Sequence, residues 1–559
     1  MIDLNKNSDL QAHLAKLRRD GEERAAQQLA QKLGLPYADL SKTPISLEAV
    51  KVIAEAEARD AKAAIIEESG KKLALVATNP ELPATKKLID DLSARQYEVK
   101  VNVVSASSLA AAWEFYKFVK QKAEDITGKI IITKEHLDEL KAKLATFEAV
   151  NAAFAALDFK SASPVQIMEI ILSGALALRA SDIHTEAEEK MAKIRFRVDG
   201  ILHDVFSAFP LHSYDTLVSR IKLLSGMKLN VSHEAQDGRF FVRLAEKDVE
   251  MRVSIIPAEF GETIVMRILD PSATMVGLEQ LGLRDDNLEL VKKQLARPNG
   301  LILNTGPTGS GKTTTLYAFL RTLNSPEIKI ITLEDPIEYR IPGIEQTQVD
   351  DESGYTFANG LRAIVRQDPD VVLVGEVRDL ETADIAMQAS LTGHLVLSTL
   401  HTNDAVGAVP RLINLGVKAV SIGPALALVI AQRLVRVLCP ECKKPVAIDD
   451  DIKTKLQKFF EKLPAKVDKT KYQNPTIFEP VGCDKCNKMG YRGRVGVFEF
   501  LEGGADLEQT ILKEASEVAL RGVAERQGMV TMQQDGILKV LEGKTTLDEV
   551  KDATGEIVW

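Results

Sequence analysis

Hydrophobic residues in the second half of the chain occur in short runs that are separated by longer, helix-length segments. After Gly277 these runs are Leu301–Asn304, Ile328–Leu333, Val371–Val374 and Leu395–Leu400. Short apolar runs that alternate with helices are typical of βαβ units, whose strands are buried on both faces of a parallel sheet. The pattern therefore predicts an α/β fold with a parallel-sheet core over residues 276–559.

The first half of the chain predicts two smaller domains. Up to residue 120, a polar helical stretch and the apolar run Leu73–Thr78 indicate a small N-terminal α/β domain. Over residues 148–275, an apolar helix and alternating segments such as Ile194–Val198 indicate an α+β domain. The charge-rich stretch between the two, residues 121–147, predicts a solvated helical linker.

Composition and charge exclude several classes of protein. A chain of 559 residues is too long for one hydrophobic core, so three or more domains are expected. The net charge of −9 argues against a protein that coats nucleic acid, because neutralising phosphates needs a basic surface. No run approaches the roughly 20 apolar residues that cross a bilayer. No secretory signal is visible at Met1, so we expect a cytoplasmic location.

A phosphate-binding loop is the most specific motif in the sequence. It lies between the apolar run Leu301–Asn304 and the helical segment Thr314–Leu323, which is the context that such a loop requires. Its glycines let backbone N–H groups surround the phosphates, its lysine reaches the outer phosphates, and its last hydroxyl can ligate Mg²⁺. The residues expected to bind ATP are Gly306, Pro307, Thr308, Gly309, Ser310, Gly311, Lys312, Thr313 and Thr314, and Thr313 is also the expected Mg²⁺ ligand.

Acidic residues follow two of the predicted strands, at the edge of the sheet where the phosphate loop begins. The segment Glu334–Glu338 follows one strand and Glu376 follows another. Hydrolysis needs a carboxylate that orients or deprotonates water and a second that holds the water shell of the metal. The alternative is that these acids cap helices or pair with nearby arginines, which are Arg362, Arg366 and Arg378.

Two histidines flank the buried run Leu395–Leu400, with His394 before it and His401 after it. Histidines at strand ends are often structural hydrogen-bonding groups. Beside a phosphate loop, a role in sensing the γ-phosphate is the stronger hypothesis, so both residues are candidates for the nucleotide site.

These motifs, in this order, resemble the Walker A, Asp, Walker B and His boxes of the secretion ATPases that serve type II secretion and type IV pilus assembly. The resemblance covers roughly residues 150–559 and includes four upstream segments: Ala180–His184, Gln236–Arg239, Arg252–Ser254 and Gly261–Arg267. It implies a RecA-like P-loop core, a PAS-like α+β middle domain and an N-terminal domain that docks on a partner.

The resemblance also implies roles for particular residues. Glu338 would be the catalytic glutamate, Glu376 the Walker B carboxylate near Mg²⁺, and His401 the histidine that reports the nucleotide state, although the residues alone do not rank the two glutamates. Members of the family bring arginines of the middle domain to the nucleotide. The matching residues here, each of which could equally be a surface salt-bridge partner, are Arg239, Arg252 and Arg267.

All four cysteines lie in two Cys-x-x-Cys pairs, Cys439 with Cys442 and Cys483 with Cys486. Two such pairs are the usual frame of a tetrahedral Zn²⁺ site. The charged insert Ile448–Lys471 between them is expected to be a surface excursion, and a redox or disulfide role is the alternative. Assembly and secretion members of the family carry such a tetracysteine motif, whereas pilus retraction members generally lack it. The resemblance therefore implies a zinc-binding segment over residues 439–490.

The resemblance implies a homohexameric ring, and our hypothesis is a motor that binds ATP between the middle domain and the core and moves one against the other. The resemblance implies an inner-membrane platform protein and a cytoplasmic adaptor as partners, at the inner face of the cytoplasmic membrane. No direct contact with nucleic acid is expected. A RecA-like nucleic-acid translocase and a nucleotide-regulated scaffold without turnover remain alternatives.

The two ends of the chain carry fewer functional features. Residues 505–559 predict a helical C-terminus. The N-terminal domain lacks the Arg-Leu-Gly-led motif with which some members of the family bind cyclic di-GMP. Docking to a partner is therefore its expected role, with a simple packing module as the alternative.

Overall fold

The computed structural model of the protein divides the chain into two compact units, Met1–Leu269 and Asp270–Trp559. It describes residues 4–40, 42–120, 129–132, 139–140, 142–244, 247–270, 276–472 and 475–559. Within these ranges, no helix has both the length and the apolar character that crossing a bilayer requires.

The first unit begins with a small α/β layer. Its three strands have the order β1-β2-β3, in which β1 and β2 are antiparallel and β2 and β3 are parallel. The parallel pair is connected by a helix, as a crossover between parallel strands requires. The elements are α1 Leu4–Leu33, α2 Leu47–Val50, α3 Glu55–Asp60, β1 Ala63–Ser69, β2 Lys72–Ala77, α4 Pro83–Ala94, β3 Glu98–Val103 and α5 Ala106–Lys120.

A larger sheet of seven strands follows in the same unit, with the order β4-β8-β9-β10-β5-β6-β7. Its strands are antiparallel except for the pair β4 and β8. The alternating pattern of Ile194–Val198 lies in a strand whose every second residue is buried, as predicted. The elements are β4 Lys129–Ile132, α6 Phe147–Ala155, α7 Pro164–Ala177, β5 Asp182–Ala187, β6 Met191–Val198, β7 Ile201–Pro210, α8 Leu211–Leu224, β8 Gln236–Leu244, β9 Lys247–Ala258 and β10 Gly261–Leu269.

Strand β4 corrects the prediction of a helical linker over residues 121–147. Residues Lys129–Ile132 pair in parallel with Phe241–Leu244 at the edge of the large sheet. Three consecutive isoleucines favour a strand, because β-branched side chains lose rotamer freedom in a helix and pack well on a pleated surface. The remainder of the predicted linker lies partly outside the described residues.

The second unit is built on a sheet of seven strands with helices between them. Its elements are α9 Asp285–Leu295, β11 Gly300–Thr305, α10 Lys312–Leu323, β12 Ile330–Glu334, β13 Glu345–Gln348, α11 Phe357–Val365, β14 Val371–Val374, α12 Leu380–Leu391, β15 Leu395–Leu400, α13 Ala408–Asn414, α14 Ala419–Ala425, β16 Leu426–Leu438, β17 Lys444–Val446, α15 Asp450–Lys462, β18 Ile477–Glu479, β19 Tyr491–Glu502, α16 Ala505–Lys513, α17 Glu517–Arg526, α18 Met532–Leu541 and α19 Leu547–Thr554.

The strand order of this sheet is β13-β12-β14-β15-β11-β16-β19, and only the pairing of β16 with β19 is antiparallel. The predicted α/β fold with a parallel sheet and the four predicted strand runs are confirmed. Alternate residues of β11 belong to two separate apolar clusters, Leu301 and Leu303 to one and Ile302 to the other. The sheet is therefore covered on both faces, which explains why its strands are almost continuously apolar.

The insert between the cysteine pairs was predicted to be a surface excursion, and this prediction is wrong. Leu456 and Phe459 of helix α15 are buried in an apolar cluster with Ile537 and Leu538 of helix α18. Their spacing of three residues places them on one face of the helix, and the charged residues lie on the other face. The insert is thus part of the core that the C-terminal helices form.

A buried ionic cluster joins helix α18 to the sheet. The Asp535 carboxylate accepts hydrogen bonds from Lys539 Nζ at 2.5 Å, Arg284 Nη1 at 2.7 Å and the backbone N–H of Phe498 at 2.9 Å. The side chains of Asp535 and Lys539 are 1% and 2% exposed. Because both charges are removed from water, each depends on the other for compensation.

We expect Asp535→Ala to lower the free energy of unfolding by about 3–5 kcal/mol, because it leaves the Lys539 ammonium buried without its carboxylate. Urea titration followed by circular dichroism measures the loss. Asp506→Ala is the matched control, since the Asp506–Arg526 pair is more than half exposed and should contribute less than about 1 kcal/mol. Equal losses in the two variants would contradict the prediction.

Candidate functional site

The phosphate loop connects strand β11 to helix α10 at the carboxyl edge of the parallel sheet. Gly306 has a φ of 152°, and a Cβ there would lie 2.6 Å from both the Gln432 carbonyl oxygen and Ser310 Oγ. No other residue fits this position without displacing the loop. Pro307, Thr308 and Gly309 are exposed, so the loop presents an open backbone at the N-terminus of the helix, where anions bind.

Lys312 lies inside the loop. Its Nζ donates hydrogen bonds to the carbonyl oxygens of Gly306 at 2.8 Å and Pro307 at 3.1 Å. Burial lowers the pKa of Lys312, and the nearby Glu376 carboxylate opposes that shift. Ser310 Oγ is buried and has no hydrogen-bond partner among the described residues. The loop thus holds a cation and an unused hydroxyl, which fits the binding of phosphate oxygens.

Thr313 and Thr314 lie in the first turn of helix α10, and Thr313 is exposed. A hydroxyl at this position of a phosphate loop can ligate a Mg²⁺ ion that bridges the phosphates. Oxygen ligands are the type that Mg²⁺ prefers, and the half-buried Glu376 carboxylate near Lys312 adds a second oxygen donor. The donor set is therefore chemically suited to a Mg²⁺–nucleotide complex.

Glu376 follows strand β14 and is largely enclosed, with 17% of its side chain exposed. Its carboxylate pairs with Arg378, and its other oxygen lies 3.4 Å from His401 Nε2. The pairing with Glu376 raises the pKa of Arg378. The alternative considered from the sequence, in which an arginine pairs with the acids, is thus realised between Arg378 and Glu376, beside the histidine.

Glu338 lies half-buried in the turn between strands β12 and β13. Strand β12 is adjacent to β14 in the sheet, so the turn that carries Glu338 and the segment that carries Glu376 leave the same edge of the sheet. The first acid of this cluster, Glu334, is instead a buried end residue of strand β12. Of the three carboxylates in this five-residue segment, Glu334 is buried, Glu338 is half-buried and Asp335 is exposed.

His401 and His394 lie at opposite ends of strand β15. His401 follows the strand beside the end of β11, where Thr402 N donates to Thr305 Oγ1 at 2.8 Å. His394 precedes the strand, and its Nδ1 lies 3.0 Å from the carbonyl oxygen of Ala389. The six residues between them span about 20 Å, so the structure does not bring His394 to the phosphate loop of its own chain. The geometry therefore favours a structural hydrogen-bonding role for His394.

Two residues at the phosphate loop were missed by sequence reasoning. The buried Gln432 on strand β16 accepts hydrogen bonds from Asn304 Nδ2 at 3.0 Å and Thr315 Oγ1 at 2.9 Å, which connects the strand before the loop with the helix after it.

The Arg433 guanidinium lies beside Gly306 and donates to the carbonyl oxygen of Asn403 at 3.2 Å. Burial lowers the pKa of Arg433. The only sequence signal for Gln432 and Arg433 is a glutamine followed by an arginine inside an otherwise largely apolar run.

The three arginines predicted from the middle domain form one row in the first unit. Arg239, Arg252 and Arg267 are direct register partners across strands β8, β9 and β10. Arg267 Nε donates to Asp182 at 2.9 Å, and Arg252 Nε lies 3.5 Å from Glu250. Arg239 Nη1 also lies 3.9 Å from Glu250. The salt-bridge alternative is therefore realised for all three arginines, while the row as a whole presents three guanidinium groups on one face of the sheet.

The four cysteines form one cluster in the second unit. All four are free thiols, and their Sγ atoms lie within 4.8 Å of one another. The measured Sγ–Sγ distances are 3.9 Å for Cys439 and Cys483, 3.8 Å for Cys442 and Cys486, and 3.7 Å for Cys483 and Cys486. A tetrahedral ion with Zn–S bonds of about 2.3 Å requires sulfur atoms about 3.8 Å apart. The cluster therefore fits Zn²⁺ and brings together two pairs that the insert separates in sequence.

Comparison with known proteins gives a consistent set of relatives. Residues 159–552 match the family described as type II/IV secretion system protein. The type IV pilus assembly ATPase PilB of Myxococcus xanthus is 37% identical over 93% of this chain and 89% of that protein. The type II secretion system ATPase E of Vibrio cholerae is 47% identical over 70% of this chain and 75% of that protein. The crystal structure of the Legionella pneumophila ATPase DotB shares the fold, with a TM-score of 0.50 and 23% identity over 70% of this chain and 95% of that one.

Proposed function

The chain belongs to the type II/IV secretion system protein family, and we propose that it is the ATP-hydrolysing motor of a machine that assembles type IV pili or the related pseudopilus of type II secretion. One observation carries the proposal: the phosphate loop, the turn with Glu338, and the paired Glu376 and His401 all leave the same edge of one parallel sheet. This edge is where α/β proteins of this type bind nucleotides.

In the proposed reaction, the phosphates of ATP lie on the backbone N–H groups of the loop, and Lys312 turns from the loop carbonyls to the outer phosphates. Mg²⁺, held by Thr313 and near Glu376, would neutralise developing charge on the phosphoryl oxygens. Glu338 orients the attacking water and accepts its proton. His401, in contact with Glu376, is placed to respond when the γ-phosphate leaves.

The finer assignments are also part of this proposal. The core over residues 276–559 would be RecA-like, and the region 148–275 would be the PAS-like middle domain, preceded by the partner-docking domain 1–120. Zn²⁺ on the four cysteines would be structural, since all four ligand positions are taken by thiolates and none is left for water or substrate. The arginine row Arg239, Arg252 and Arg267 would bind nucleotide phosphates.

The proposed assembly is a homohexamer at the cytoplasmic face of the inner membrane. Its attachment there would depend on an inner-membrane platform protein and a cytoplasmic adaptor. This arrangement is inherited from the family, whose named relatives serve the type IV pilus and type II secretion machines. Closed rings are formed by head-to-tail contacts that no single chain specifies by itself.

The first test is the steady-state hydrolysis of ATP by the purified full chain, with the oligomeric state followed by analytical ultracentrifugation. We expect turnover that requires Mg²⁺ and is lost on addition of EDTA, because the phosphoryl transfer depends on charge neutralisation by the metal. We also expect hexamers in the presence of nucleotide. Single-stranded DNA should leave the rate unchanged.

Three results would contradict the proposal. Binding of ATP without turnover in the assembled ring would favour a nucleotide-regulated scaffold. Strong stimulation by single-stranded DNA, with a steep dependence on salt, would favour a nucleic-acid translocase. Monomers alone in the presence of nucleotide would exclude the ring.

A further inference from the structure

A polar network lies directly beneath the turn that carries Glu338. At its centre is Glu334, which ends strand β12 and is 4% exposed. The Tyr317 hydroxyl donates to one oxygen of the Glu334 carboxylate, while Thr332 Oγ1 at 2.6 Å and Gln346 Nε2 at 3.2 Å donate to the other. A buried carboxylate with this many donors is a rigid element, because each bond strengthens in a medium of low dielectric constant.

The same side chains hold the backbone of the turn. The backbone N–H of Glu338 hydrogen-bonds the Tyr317 hydroxyl. Gln346 accepts from the N–H of Ile341 at 2.7 Å and donates to the carbonyl oxygen of Tyr339 at 3.1 Å. The network thus contacts the backbone at Glu338 itself and at two positions after it.

Aromatic packing fixes the network from the side of helix α10. The rings of Tyr317 and Tyr339 meet edge to face with centroids 4.6 Å apart. Arg321, one turn after Tyr317, donates to the Tyr339 hydroxyl at 3.2 Å. Tyr317 lies in the helix that starts with Lys312, so the turn that carries Glu338 is anchored to the element that begins at the phosphate loop.

We propose that Glu334, Tyr317 and Gln346 are positioning residues that hold the Glu338 carboxylate at a fixed position relative to the phosphate loop. The proposal rests on the catalytic role proposed above for Glu338. Glu334 cannot take that role itself, because it is buried and its described side-chain hydrogen bonds are all with Tyr317, Thr332 and Gln346. Burial also raises its pKa, which is consistent with a group that is enclosed in the protein rather than open to water.

The test is the variant Tyr317→Phe, which keeps the ring and removes only the hydroxyl. We expect kcat for ATP hydrolysis to fall about 10- to 100-fold, because a displacement of about 1 Å at a catalytic group costs that much. The KM for ATP and the affinity for a fluorescent ATP analogue should change less than about threefold, since the loop that binds the phosphates is untouched.

Tyr472→Phe is the matched control. Tyr472 is also a buried tyrosine of the second unit whose hydroxyl donates to a carboxylate, that of Glu542 at 3.0 Å. A loss of stability from removing such a hydroxyl should therefore be similar in the two variants, and only Tyr317→Phe should lose kcat. Equal kcat in both variants, or a Tyr317→Phe rate within about twofold of the parent, would overturn the proposal.

A double variant separates positioning from a general structural effect. If Tyr317 acts only through Glu338, then Tyr317→Phe should cause no further loss of rate in a Glu338→Gln background. An additional loss of tenfold or more in the double variant would overturn the proposal. Such a loss corresponds to roughly 1.4 kcal/mol, which a double-mutant cycle can resolve.

Two further outcomes keep the result interpretable. If Tyr317→Phe does not fold, Gln346→Ala removes the other backbone anchors of the turn, those at Tyr339 and Ile341, from a half-buried edge strand. Full activity of that variant would overturn the proposal. If Glu338→Gln alone keeps full turnover, the proposed catalytic role of Glu338 fails. A loss of rate in Tyr317→Phe but not in Glu338→Gln would then mean that the network acts on another group.

Discussion

Replacing Glu338 with glutamine should lower kcat for ATP hydrolysis by roughly 10³-fold, the usual contribution of a general base, while ATP still binds. Glutamine has the size of glutamate, so the turn between strands β12 and β13 should keep its shape. The glutamine side chain cannot accept a proton from water, and its amide orients water less strongly than a charged carboxylate does. The measurement is the steady-state release of phosphate together with equilibrium binding of a fluorescent ATP analogue.

Two variants frame this result. Glu327→Gln, at an exposed position in the loop between α10 and β12, is the matched control and should hydrolyse ATP like the parent. Lys312→Ala should lose nucleotide binding as well as turnover, because it removes the cation inside the loop. Full activity of Glu338→Gln, with loss of activity in Glu376→Gln, would contradict the assignment and make Glu376 the group that activates water.

Replacing Cys486 with serine should remove most of the zinc that we expect the chain to bind, about one ion per chain. Cys486 is held in place by the backbone, because its sulfur accepts hydrogen bonds from the N–H groups of Cys483 and Gly490, both at 3.2 Å. Such bonds favour the thiolate that a metal requires. A structural zinc site contributes on the order of 10 kcal/mol of apparent binding energy, so a large fall in the thermal midpoint should accompany the loss.

Metal analysis after dialysis and titration of reactive thiols measure this effect. Since the chain has only four cysteines, every thiol that reacts reports on this one site. The parent should protect all four until a chelator is added. Lys485→Ala, an exposed position between two ligands, is the control and should keep the metal. A parent without zinc, or one that forms disulfides under mild oxidation, would favour the redox alternative.

The cysteine cluster is connected to the rest of the unit by contacts of neighbouring residues with the C-terminal helices. Lys443, which follows Cys442, donates to the carbonyl oxygen of Gly543 at 2.6 Å, and the N–H of Leu438 donates to that of Lys544 at 2.8 Å. Loss of the metal should therefore loosen the end of helix α18 before it affects the phosphate loop. Glu338→Gln should therefore lower mainly the rate of hydrolysis, whereas Cys486→Ser should lower mainly the thermal midpoint.

Much of the candidate nucleotide site could be predicted from local sequence. The phosphate loop needs glycines, a lysine and a hydroxyl at fixed spacing between a strand and a helix, and Gly306, Lys312 and Thr313 meet that requirement. The strands of a parallel sheet are covered on both faces, so they are recognised as apolar runs of strand length. Because such strands all end at one edge, the sequence predicts that Glu376 leaves the same edge of the sheet as the loop, and the order of the strands decides how close to the loop it lies.

Other features depended on which strands became neighbours. Gln432 and Arg433 reach the loop because strand β16 pairs with β11, and an amino-acid sequence does not state the order of strands in a sheet. The two histidines beside strand β15 looked equivalent, yet the direction of the strand places only His401 at the loop. The isoleucines of strand β4 paired with the edge of a sheet instead of continuing a helix.

What the sequence determined by itself is the set of groups whose chemistry is local: the phosphate loop, the acidic strand ends, the cysteine pairs and the alternation of strands with helices. What only the tertiary structure decided is how distant groups meet, such as the four sulfur atoms across the insert and the contact of Tyr317 and Gln346 with the turn that carries Glu338. The physical reason is that spacing within one helix or strand follows from fixed backbone geometry. Contacts between elements depend on the packing of the whole core, in which a charged insert can bury two apolar side chains and so belong to the interior.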